Sequence, residues 1–355
     1  MKLTPIKIKT PRGLRLIGPG QPVFIVAEMS GNHNQDINQA YKIINAAAKA
    51  GADAVKMQTY TADIITLDCD NKYFQVKVND AWKGQTLYNL YKKAYTPWAW
   101  QAKLKKYGEA KGILVFSSPF DNTAVDFLES LKVAIYKVAS FEVVDIPLLK
   151  RIGQTGKPVI MSRGMASIKE IKLAVKTLKK HGCPQVAVLH CVSSYPAKPE
   201  EMNLATIIDI IKRFKVVAGL SDHALNITVS IAAAALGASV IEKHLTIKRS
   251  DGGPDAAFSL EPQEFRSLVQ AVRLVERAIG QPNYKVTKSE AENIIFRKSI
   301  FAVKDIKSGE KFTSANVRSI RPGYGLAPKY YDQIMGKIAK KNIEKGVPLN
   351  WNLIN

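Results

Sequence analysis

Two lysines, two histidines and one glutamate in this sequence have the chemistry of a site for an anionic substrate. Glu28 ends the apolar run VFIVAE, Lys56 and Lys137 lie in AVKMQTY and AIYKVAS, and His223 and His244 lie near the ends of VVAGLSDH and VIEKHLT. Lysines donate charge-assisted hydrogen bonds to phosphate or carboxylate groups, and two adjacent imidazoles can share a divalent cation. A carboxylate beside them can act as a general base or orient a water molecule. These residues predict a site for a small phosphorylated or carboxylated substrate.

Each of these residues also has a purely structural interpretation. The two histidines could be structural polar residues within the packed protein, because two ligands are an incomplete set for a metal ion, which water or substrate must complete. Glu28 could form an ion pair with Lys56 or Lys137. Cys191, which follows His190, could be a nucleophile, but no feature of the sequence lowers its pKa, so a buried structural thiol is favoured.

The elements that must position these residues are short strands that alternate with longer segments of helical periodicity, from residue 23 to about residue 280. The strand candidates are rich in β-branched residues, and several helical segments end in glycine. Eight strand–helix units with nearly continuous apolar strands predict an α/β fold, a (β/α)8 TIM barrel, in preference to an open doubly wound sheet. The predicted strands are 23–28, 54–60, 113–119, 134–140, 158–164, 185–191, 216–223 and 240–246.

The carboxyl ends of all eight predicted strands carry polar residues. In a barrel enzyme the chemistry lies at this end of the strands, where the loops that lead into the helices begin. The mixture of lysines and hydroxyls favours an anion site over ordinary solvated strand ends. The segment 61–96, rich in aromatic and polar residues, is an insertion after the second strand that could cover the barrel mouth.

The composition is that of an ordinary globular protein, with 355 residues of which 46% are hydrophobic and 23% are charged. It excludes fibrous, collagenous and mostly disordered chains. The formal net charge of +22 would suit nucleic acid, a membrane surface or small acidic substrates, yet no block of Lys and Arg marks a nucleic-acid site. Three irregularly spaced cysteines, no signal-peptide pattern and no bilayer-spanning apolar stretch predict a cytoplasmic protein that binds neither nucleic acid nor membrane.

The barrel pattern ends near Gly280 and gives way to the polar stretch QPNYKVTKSE. A separate segment begins near Arg297 and contains a weak internal echo between residues 304–317 and 341–354. We therefore predict a catalytic barrel domain at residues 1–281, a linker at 282–296 and a small domain at 297–355.

Several motifs, in the same order, resemble the sialic acid synthase family over essentially the whole chain. They are AEMSGNHN (27–34), KMQ (56–58), GLSDH (219–223), EKH (242–244) and GPD (253–255). The tail, with RPGYG at 321–325, is similar to an antifreeze-like (SAF) domain. The resemblance implies a barrel followed by a SAF domain. It also implies a transferase that joins phosphoenolpyruvate to an amino-sugar aldehyde through a new C–C bond and releases phosphate.

The resemblance also assigns roles to the residues at matching positions. Glu28 would orient or deprotonate the attacking water, and His223 and His244 would ligate Mn²⁺, Mg²⁺ or Co²⁺. Arg321 would reach the barrel of a second subunit, which implies a domain-swapped homodimer. The catalytic residues would be Glu28, Lys56, Lys137, His223 and His244; phosphoenolpyruvate would be held by Lys56, Ser118, Lys137, Ser140, Ser162, Ser193 and Ser221, and the sugar by Gln58, Tyr195, Asp255 and Arg321.

Within the family, the tracts AEMSGNHNQ (27–35), TPWAW (96–100) and RSDGGPDAAFSLEP (249–262) look like the pseudaminic acid synthase branch. This branch implies 2,4-diacetamido-2,4,6-trideoxy-L-altrose as the sugar and a cell-surface glycan, such as glycosylated flagellin, as the destination of the product. N-acetylneuraminate and legionaminate synthases are the alternatives inside the family. A Schiff-base aldolase with Lys137 or Lys56 as nucleophile, and a nucleic-acid or ice-binding protein, are the alternatives outside it.

Overall fold

Two units make up the chain, Met1–Gly280 and Gln281–Asn355. The computed structural model describes residues 3–77 and 84–355. Within these residues no helix is both long enough and apolar enough to cross a membrane.

The first unit begins with an antiparallel hairpin that the sequence analysis did not predict. It consists of β1 (Ile6–Thr10) and β2 (Gly13–Ile17), with Ile6 opposite Ile17. Ile6, Ile8 and Ile17 are buried in the same apolar cluster as the first residues of several barrel strands, including Phe24. The hairpin therefore closes the barrel at the amino ends of its strands.

Eight parallel strands follow the hairpin and close into a barrel. Neighbours in sequence are neighbours in the barrel, and the last strand closes it by pairing with the first, from Val240 beside Phe24 to His244 beside Glu28. The strands are buried along their length, as expected for parallel strands covered on both faces. The predicted (β/α)8 fold is confirmed. The strands are β3 (Phe24–Glu28), β4 (Ala54–Thr59), β5 (Leu114–Pro119), β6 (Tyr136–Val138), β7 (Val159–Ser162), β8 (Val186–Cys191), β9 (Val217–Asp222) and β10 (Val240–His244).

Helices with apolar residues at helical spacing cover the outside of the barrel. In the first of them Ile43, Ile44 and Ala47 pack against the outward faces of the strands, the Asp36 side chain accepts a hydrogen bond from a first-turn N–H, and Gly51 ends the helix at φ 88°. The outer helices are α1 (Ile37–Ala50), α4 (Trp98–Ala110), α5 (Asn122–Ser130), α6 (Ile146–Gln154), α7 (Ile168–Lys180), α8 (Ala205–Phe214), α9 (Thr228–Ala235) and α10 (Pro262–Ile279). The segment predicted as an insertion at 61–96 contains α2 (Ala62–Ile65) and α3 (Leu87–Ala94), and its residues 78–83 lie outside the described residues.

The second unit has a small core of its own. The two segments that echo each other in sequence lie side by side, because Ile306 and Ile343 exchange two backbone hydrogen bonds of 2.8 Å, and both residues are buried in this core. The stretch predicted as a linker contains a short helix and a 3-10 turn at Glu292–Phe296. The elements are α11 (Lys288–Ala291), β11 (Ser299–Ala302), β12 (Val317–Ile320), antiparallel to β11, and α12 (Tyr331–Ile334).

Candidate active site

The inward-facing positions at the carboxyl ends of the barrel strands are polar. Alternate residues of a strand face the same side of a sheet, and Phe24 and Val26 of β3 pack in the barrel interior. Glu28 therefore continues the inward face. The same alternation in the other strands places further polar side chains in one buried group with Glu28. They are Lys56 of β4, Ser118 of β5, Lys137 of β6, Ser162 of β7, Ser221 of β9, and Glu242 and His244 of β10.

Two lysines and two glutamates form the centre of this group. The Lys56 Nζ lies 2.7 Å from Glu28 Oε2 and 3.5 Å from Glu242 Oε1. The Lys137 Nζ lies 3.7 Å from the same Glu242 oxygen. No side chain of the four is more than 5% exposed. Glu28 thus forms the ion pair that the structural interpretation suggested, and it does so inside the predicted site.

Burial and close spacing shift the pKa values of these four groups. Burial raises the pKa of Glu28 to about 7, with Glu242 adding to the shift and Lys56 opposing it. Burial would also raise the pKa of Glu242, but Lys137 and Lys56 outweigh it and hold that pKa below its usual value. Burial lowers the pKa of Lys137, whereas at Lys56 the two carboxylates outweigh burial and raise the pKa. Glu28 can therefore exchange a proton near neutral pH.

Serine hydroxyls lie next to both lysines. Lys137 Nζ donates a hydrogen bond of 2.8 Å to Ser162 Oγ, and Lys56 Nζ donates one of 3.4 Å to Ser118 Oγ. Ammonium and hydroxyl groups are both donors, so together they can surround an anionic group with several hydrogen bonds. The structure brings these four predicted residues together.

A second pair of predicted serines lies beside Tyr195. Ser193 Oγ donates a hydrogen bond of 3.0 Å to Ser140 Oγ. A Cβ atom at Gly164, which has φ 48°, would lie 2.5 Å from the Ser140 Cβ, so this close approach requires glycine. Burial raises the pKa of the Tyr195 hydroxyl, and its hydrogen bonds with the two serines oppose the shift. The centroids of the Tyr195 and His223 rings are 4.5 Å apart, so Tyr195 connects the two serines to the histidines.

The two predicted metal ligands lie side by side. The ring centroids of His223 and His244 are 5.3 Å apart. His223 Nδ1 donates a hydrogen bond of 2.9 Å to the Val192 carbonyl oxygen. Burial would lower the pKa of His223, but Cys191, the Val192 carbonyl and Asp222 outweigh burial and raise it. When the ring is neutral, Nε2 carries its lone pair. The buried His244 Nδ1 has no hydrogen-bond partner among the described residues. Burial and the neighbouring His223 hold the pKa of His244 well below its ordinary value, so His244 is neutral at physiological pH.

The Cys191 thiol faces the barrel interior, and His190 beside it faces the outside. The Cys191 Sγ lies 4.0 Å from His223 Nδ1. Burial would raise the pKa of the thiol, but His223 and Lys137 outweigh burial and lower it. The thiol is buried as predicted, and the lowered pKa is a correction. His190 cannot activate it, because His190 Nδ1 accepts a hydrogen bond of 3.1 Å from Arg163 Nε on the outer side of the strands.

Two of the predicted sugar-binding residues meet at Ser30. Gln58 Nε2 donates hydrogen bonds of 3.1 Å to both Glu28 Oε1 and Ser30 Oγ. The Ser30 hydroxyl donates to Asp255 Oδ2. Burial raises the pKa of Asp255, and hydrogen bonds from Ser30 and from the Gly31 backbone oppose that shift. Gln58 and Asp255 therefore belong to one polar network that also reaches Glu28.

Some polar residues at the strand ends face the helices instead of the site. Asp222 and Lys243 occupy outward positions of β9 and β10, where both side chains are fully buried and form an ion pair of 2.9 Å. Asp222 also accepts hydrogen bonds from Ser230 Oγ at 2.6 Å and from the Ala224 N–H at 2.8 Å. The strand-end polarity seen in sequence therefore contains both site residues and structural residues.

Arg321 opens the RPGYG segment of the second unit and is exposed. Ser299 Oγ anchors the segment, since it donates to the Pro322 carbonyl at 2.6 Å and accepts from the Gly325 N–H at 2.9 Å. A Cβ atom at Gly325 would lie 2.5 Å from the Ile300 carbonyl oxygen, which explains the glycine. The role of Arg321 in the barrel of a second subunit stays a prediction.

Sequence reasoning missed two residues of the site, Glu242 and Ser30. Glu242 Oε1 accepts a hydrogen bond of 3.1 Å from Ser221 Oγ in addition to its contacts with the lysines. Glu242 lies two residues after the inward-facing Val240 in β10, and residues at this spacing face the same side of a strand, so this signal could have identified it. Ser30 has a φ of 45°, and its contacts join residues far apart in sequence, so no local pattern indicates it.

The comparisons with known proteins agree with the motif resemblance. The sequence pattern of the NeuB family matches residues 43–284, and that of the SAF domain matches residues 297–355. A pseudaminic acid synthase of Campylobacter jejuni is 42% identical over 324 residues, which cover 91% of this chain and 94% of that protein. An N,N'-diacetyllegionaminic acid synthase of Campylobacter jejuni is 39% identical over 326 residues, which cover 91% and 97%.

A solved structure supports the same fold. The N-acetylneuraminic acid (sialic acid) synthetase of Leptospira borgpetersenii, in complex with citrate, superimposes with a TM-score of 0.70 at 36% identity. The match covers 79% of this chain and 93% of that one. Fold and sequence therefore agree on one family.

Proposed function

The chain belongs to the NeuB family and carries a SAF domain, and on that premise we propose that it condenses phosphoenolpyruvate with the open-chain aldehyde of an amino sugar. The products are a nine-carbon 2-keto acid and inorganic phosphate. The observation that carries the proposal is the buried group of two lysines with serine hydroxyls at the carboxyl end of the barrel. Such a group fits a small molecule with several negative charges, and phosphoenolpyruvate carries both a phosphate and a carboxylate.

Lys56 and Lys137 hold the anionic groups of phosphoenolpyruvate in this proposal. Glu242 lies within 3.7 Å of both ammonium groups, so its charge offsets the repulsion between two buried cations. The hydroxyls of Ser118 and Ser162 add donors beside them. Phosphoenolpyruvate is thereby held in one orientation, which removes part of the entropic cost of its encounter with the aldehyde.

Glu28 acts as the general base for the attacking water in this proposal. The π electrons of phosphoenolpyruvate form the bond from C3 to the aldehyde carbon, and C2 becomes an oxocarbenium centre. Ionised Glu28 orients water toward C2 and takes its proton as the C2–O bond forms. The alkoxide formed from the aldehyde takes up the proton that Glu28 releases again. The bond between C2 and the phosphate ester oxygen then breaks, the C2 hydroxyl gives its proton to the departing phosphate, and a ketone remains at C2. A carboxyl with a pKa of about 7 is suited to accept and release a proton at neutral pH.

The two histidines fit a divalent cation, and we propose Mn²⁺, Mg²⁺ or Co²⁺. His244 is neutral and its buried Nδ1 has no hydrogen-bond partner in the described part of the chain. The Val192 carbonyl orients the His223 ring in the way that a carbonyl orients metal-bound histidines. Among residues 3–77 and 84–355 no group of three or more His, Cys, Asp or Glu side chains could hold a metal ion, so water or substrate would complete the ligands. When bound, the cation would supply Lewis-acid polarisation of the aldehyde oxygen.

We propose the pseudaminic acid synthase branch and 2,4-diacetamido-2,4,6-trideoxy-L-altrose as the sugar, with Gln58, Tyr195 and Asp255 as its contacts. The tracts 27–35, 96–100 and 249–262 support this branch. Overall identity does not select it, because two Campylobacter jejuni synthases for different sugars are 42% and 39% identical to this chain. The choice therefore depends on local residues of the sugar site.

Arg321 of a second copy completes the sugar site in this proposal, which makes the active form a domain-swapped homodimer. Complementation between two inactive variants tests it. In a mixed dimer of Glu28→Gln and Arg321→Ala, one barrel has an intact Glu28 and receives an intact Arg321 from the other chain. Activity recovered on mixing supports the swap, and two variants that stay inactive in a verified mixed dimer contradict it.

A Schiff-base aldolase remains the second candidate because burial lowers the pKa of Lys137, as a nucleophilic lysine requires. Borohydride treatment in the presence of pyruvate separates the two functions. An adduct trapped on Lys137, with activity retained in EDTA, favours the aldolase. No adduct, with activity lost in EDTA, favours the condensation.

The test of the proposed function is phosphate release from phosphoenolpyruvate with Mn²⁺ and one of three sugars. The sugars are 2,4-diacetamido-2,4,6-trideoxy-L-altrose, N-acetylmannosamine and the 2,4-diacetamido-2,4,6-trideoxymannose used by legionaminate synthases. We expect release with the altrose only. Release with a manno sugar instead would keep the chemistry and change the branch, and release with none of the three would contradict the proposed condensation.

A further inference from the structure

Ser30 adopts a backbone conformation that its residue type disfavours. Its φ is 45°, in the left-handed region, and the residue is 2% exposed. Residues with a Cβ rarely adopt this conformation, and those that do are held there by their surroundings. A glycine would adopt it without strain. The presence of a serine therefore calls for a contribution from its hydroxyl.

The packing around Ser30 explains why the backbone turns there. A Cβ atom at the next residue, Gly31, would lie 3.2 Å from the Ala94 Cα at the end of α3 and 3.2 Å from the Pro254 Cγ. The Ser30 N–H donates a hydrogen bond of 3.1 Å to Glu28 Oε1. The loop is thus fixed between the insertion and the segment that carries Asp255, whatever side chain residue 30 has.

The Ser30 hydroxyl uses both of its hydrogen-bonding roles. It accepts from Gln58 Nε2 at 3.1 Å and donates to Asp255 Oδ2. The Gly31 backbone also donates to Asp255. Gln58 and Asp255 lie on different elements of the barrel, so the hydroxyl is the link that sets one side chain relative to the other.

We propose that Ser30 is a positioning residue for the sugar aldehyde, because its hydroxyl holds the Gln58 amide and the Asp255 carboxylate in one arrangement. The inference rests on the proposed function, in which these two side chains contact the sugar. The Gln58 NH₂ group is directed to Glu28 and Ser30, which leaves its carbonyl oxygen as an acceptor, and the Asp255 carboxylate keeps acceptor capacity beyond its two donors. Two fixed acceptors select hydroxyl or acetamido N–H donors on the sugar.

Ser30→Gly is the main test, with Lys215→Gly as its matched control. Lys215 is exposed at the end of α8 and has a φ of 53°, so the same substitution relieves the same backbone conformation away from the site. We expect Lys215→Gly to unfold at the wild-type temperature or above it. Ser30→Gly should stay folded but unfold at a lower temperature than Lys215→Gly, because the buried Asp255 carboxylate loses a hydrogen-bond donor. Only Ser30→Gly should raise the KM for the aldehyde, by about tenfold to a hundredfold, because a hydrogen bond to a charged group is lost. The KM for phosphoenolpyruvate should stay within about twofold of wild type.

Ser30→Ala and a double variant distinguish positioning from a general disturbance. Ser30→Ala removes the hydroxyl and keeps the Cβ, so we expect the same increase in the aldehyde KM. In an Asp255→Asn background, Ser30→Gly should add less than about twofold, because both changes act on one contact. Independent, multiplicative effects of the two changes would contradict the inference.

A crystal structure of Ser30→Gly separates failure of this inference from failure of the proposed function. We expect the Asp255 carboxylate to leave the position that it holds in the wild type, whichever sugar is the substrate. An unmoved carboxylate, or an unchanged KM for an aldehyde that the wild type turns over, contradicts the role of Ser30. A wild-type protein that releases no phosphate with any of the three sugars contradicts the proposed function, and the position of the carboxylate still tests Ser30.

Discussion

Two buried groups of charges lie on opposite faces of the same barrel strands, and their surroundings differ. The outward pair, Asp222 and Lys243, is satisfied on all sides. Lys243 Nζ donates to Asp222, to the Ala224 carbonyl and to the Asn226 carbonyl at 3.1 Å. Asp222 accepts two further hydrogen bonds, from Ser230 Oγ and from the Ala224 N–H. Such a pair fixes the loop after β9 against α9 and has no capacity left for a ligand.

The inward group is less completely satisfied. Glu242 Oε2 is buried and has no hydrogen-bond partner in the described part of the chain. The pKa of Glu28 is raised to about 7 by burial. Buried polar atoms without partners cost free energy and occur where a ligand or a reaction uses them. The difference between the two groups indicates that incomplete satisfaction, and not burial of charge by itself, marks the functional face of these strands.

Glu28→Gln should have the largest effect on the inward group. The amide keeps the size of the side chain but cannot take a proton from water, so turnover should fall by about 10²-fold to 10⁴-fold. Phosphate release at saturating substrates measures the loss. The unfolding transition serves as the control, since we expect a folded variant. Turnover close to wild type would remove Glu28 from the mechanism.

Lys243→Met should show the opposite behaviour in the outward pair. The substitution leaves the Asp222 carboxylate buried without its cation, and the loss of one partner from a buried ion pair typically costs about 3–5 kcal/mol of unfolding free energy. Urea unfolding of Lys243→Met, compared with the double variant Lys243→Met/Asp222→Asn, measures the cost. The double variant should recover part of the stability. An unchanged unfolding free energy in the single variant would show that this pair is not structural.

The same comparison shows what could be predicted from the sequence. The periodicity of the strands predicted the barrel, and with it the position of Lys56, Lys137 and Glu28 at the carboxyl ends of the strands. The two-residue alternation within EKH was not used, although it separates Glu242, which faces the site, from Lys243, which faces the helices. Ser30 could not have been predicted, because its role depends on a backbone angle and on Asp255, which is remote in sequence.

The N-terminal hairpin was missed for a different reason. IKIKTPRGLRLI alternates apolar and polar residues over two short strands. These strands precede residue 23, where the repeating strand–helix pattern begins, so they are not part of the repeat that predicted the barrel. Only the burial of Ile6 and Ile17 inside the barrel shows that the hairpin belongs to the core. A short strand pair is stabilised mainly by such packing, and packing across the fold is not visible in a local pattern.

Glu242→Gln should have a smaller effect, and it tests whether the inward charges act on one another. The negative charge of Glu242 contributes to the raised pKa of Glu28, so its removal should lower that pKa. If ionised Glu28 is the base, kcat/KM rises with pH through about 7 in the wild type, and the rise should move to lower pH in the variant. Phosphoenolpyruvate ionises equally in both assays, so the difference between the two profiles belongs to the enzyme. Superimposed profiles would contradict the coupling.

The pH dependence of stability should show the smallest effect. Burial raises the Glu28 pKa from 4.5 to about 7 in the folded chain. Between these pH values the folded chain holds a proton that the unfolded chain has released, so the stabilisation from this group is full below about pH 4.5 and is lost as the pH rises through about 7. Glutamine does not titrate, so the unfolding free energy of Glu28→Gln relative to wild type should increase over this range. Urea unfolding of both proteins at the two pH values measures it, and the groups that do not interact with Glu28 cancel in the difference. A constant difference would show that Glu28 titrates alike in the folded and unfolded chains, and the contrast with the satisfied outward pair would then lose its electrostatic basis.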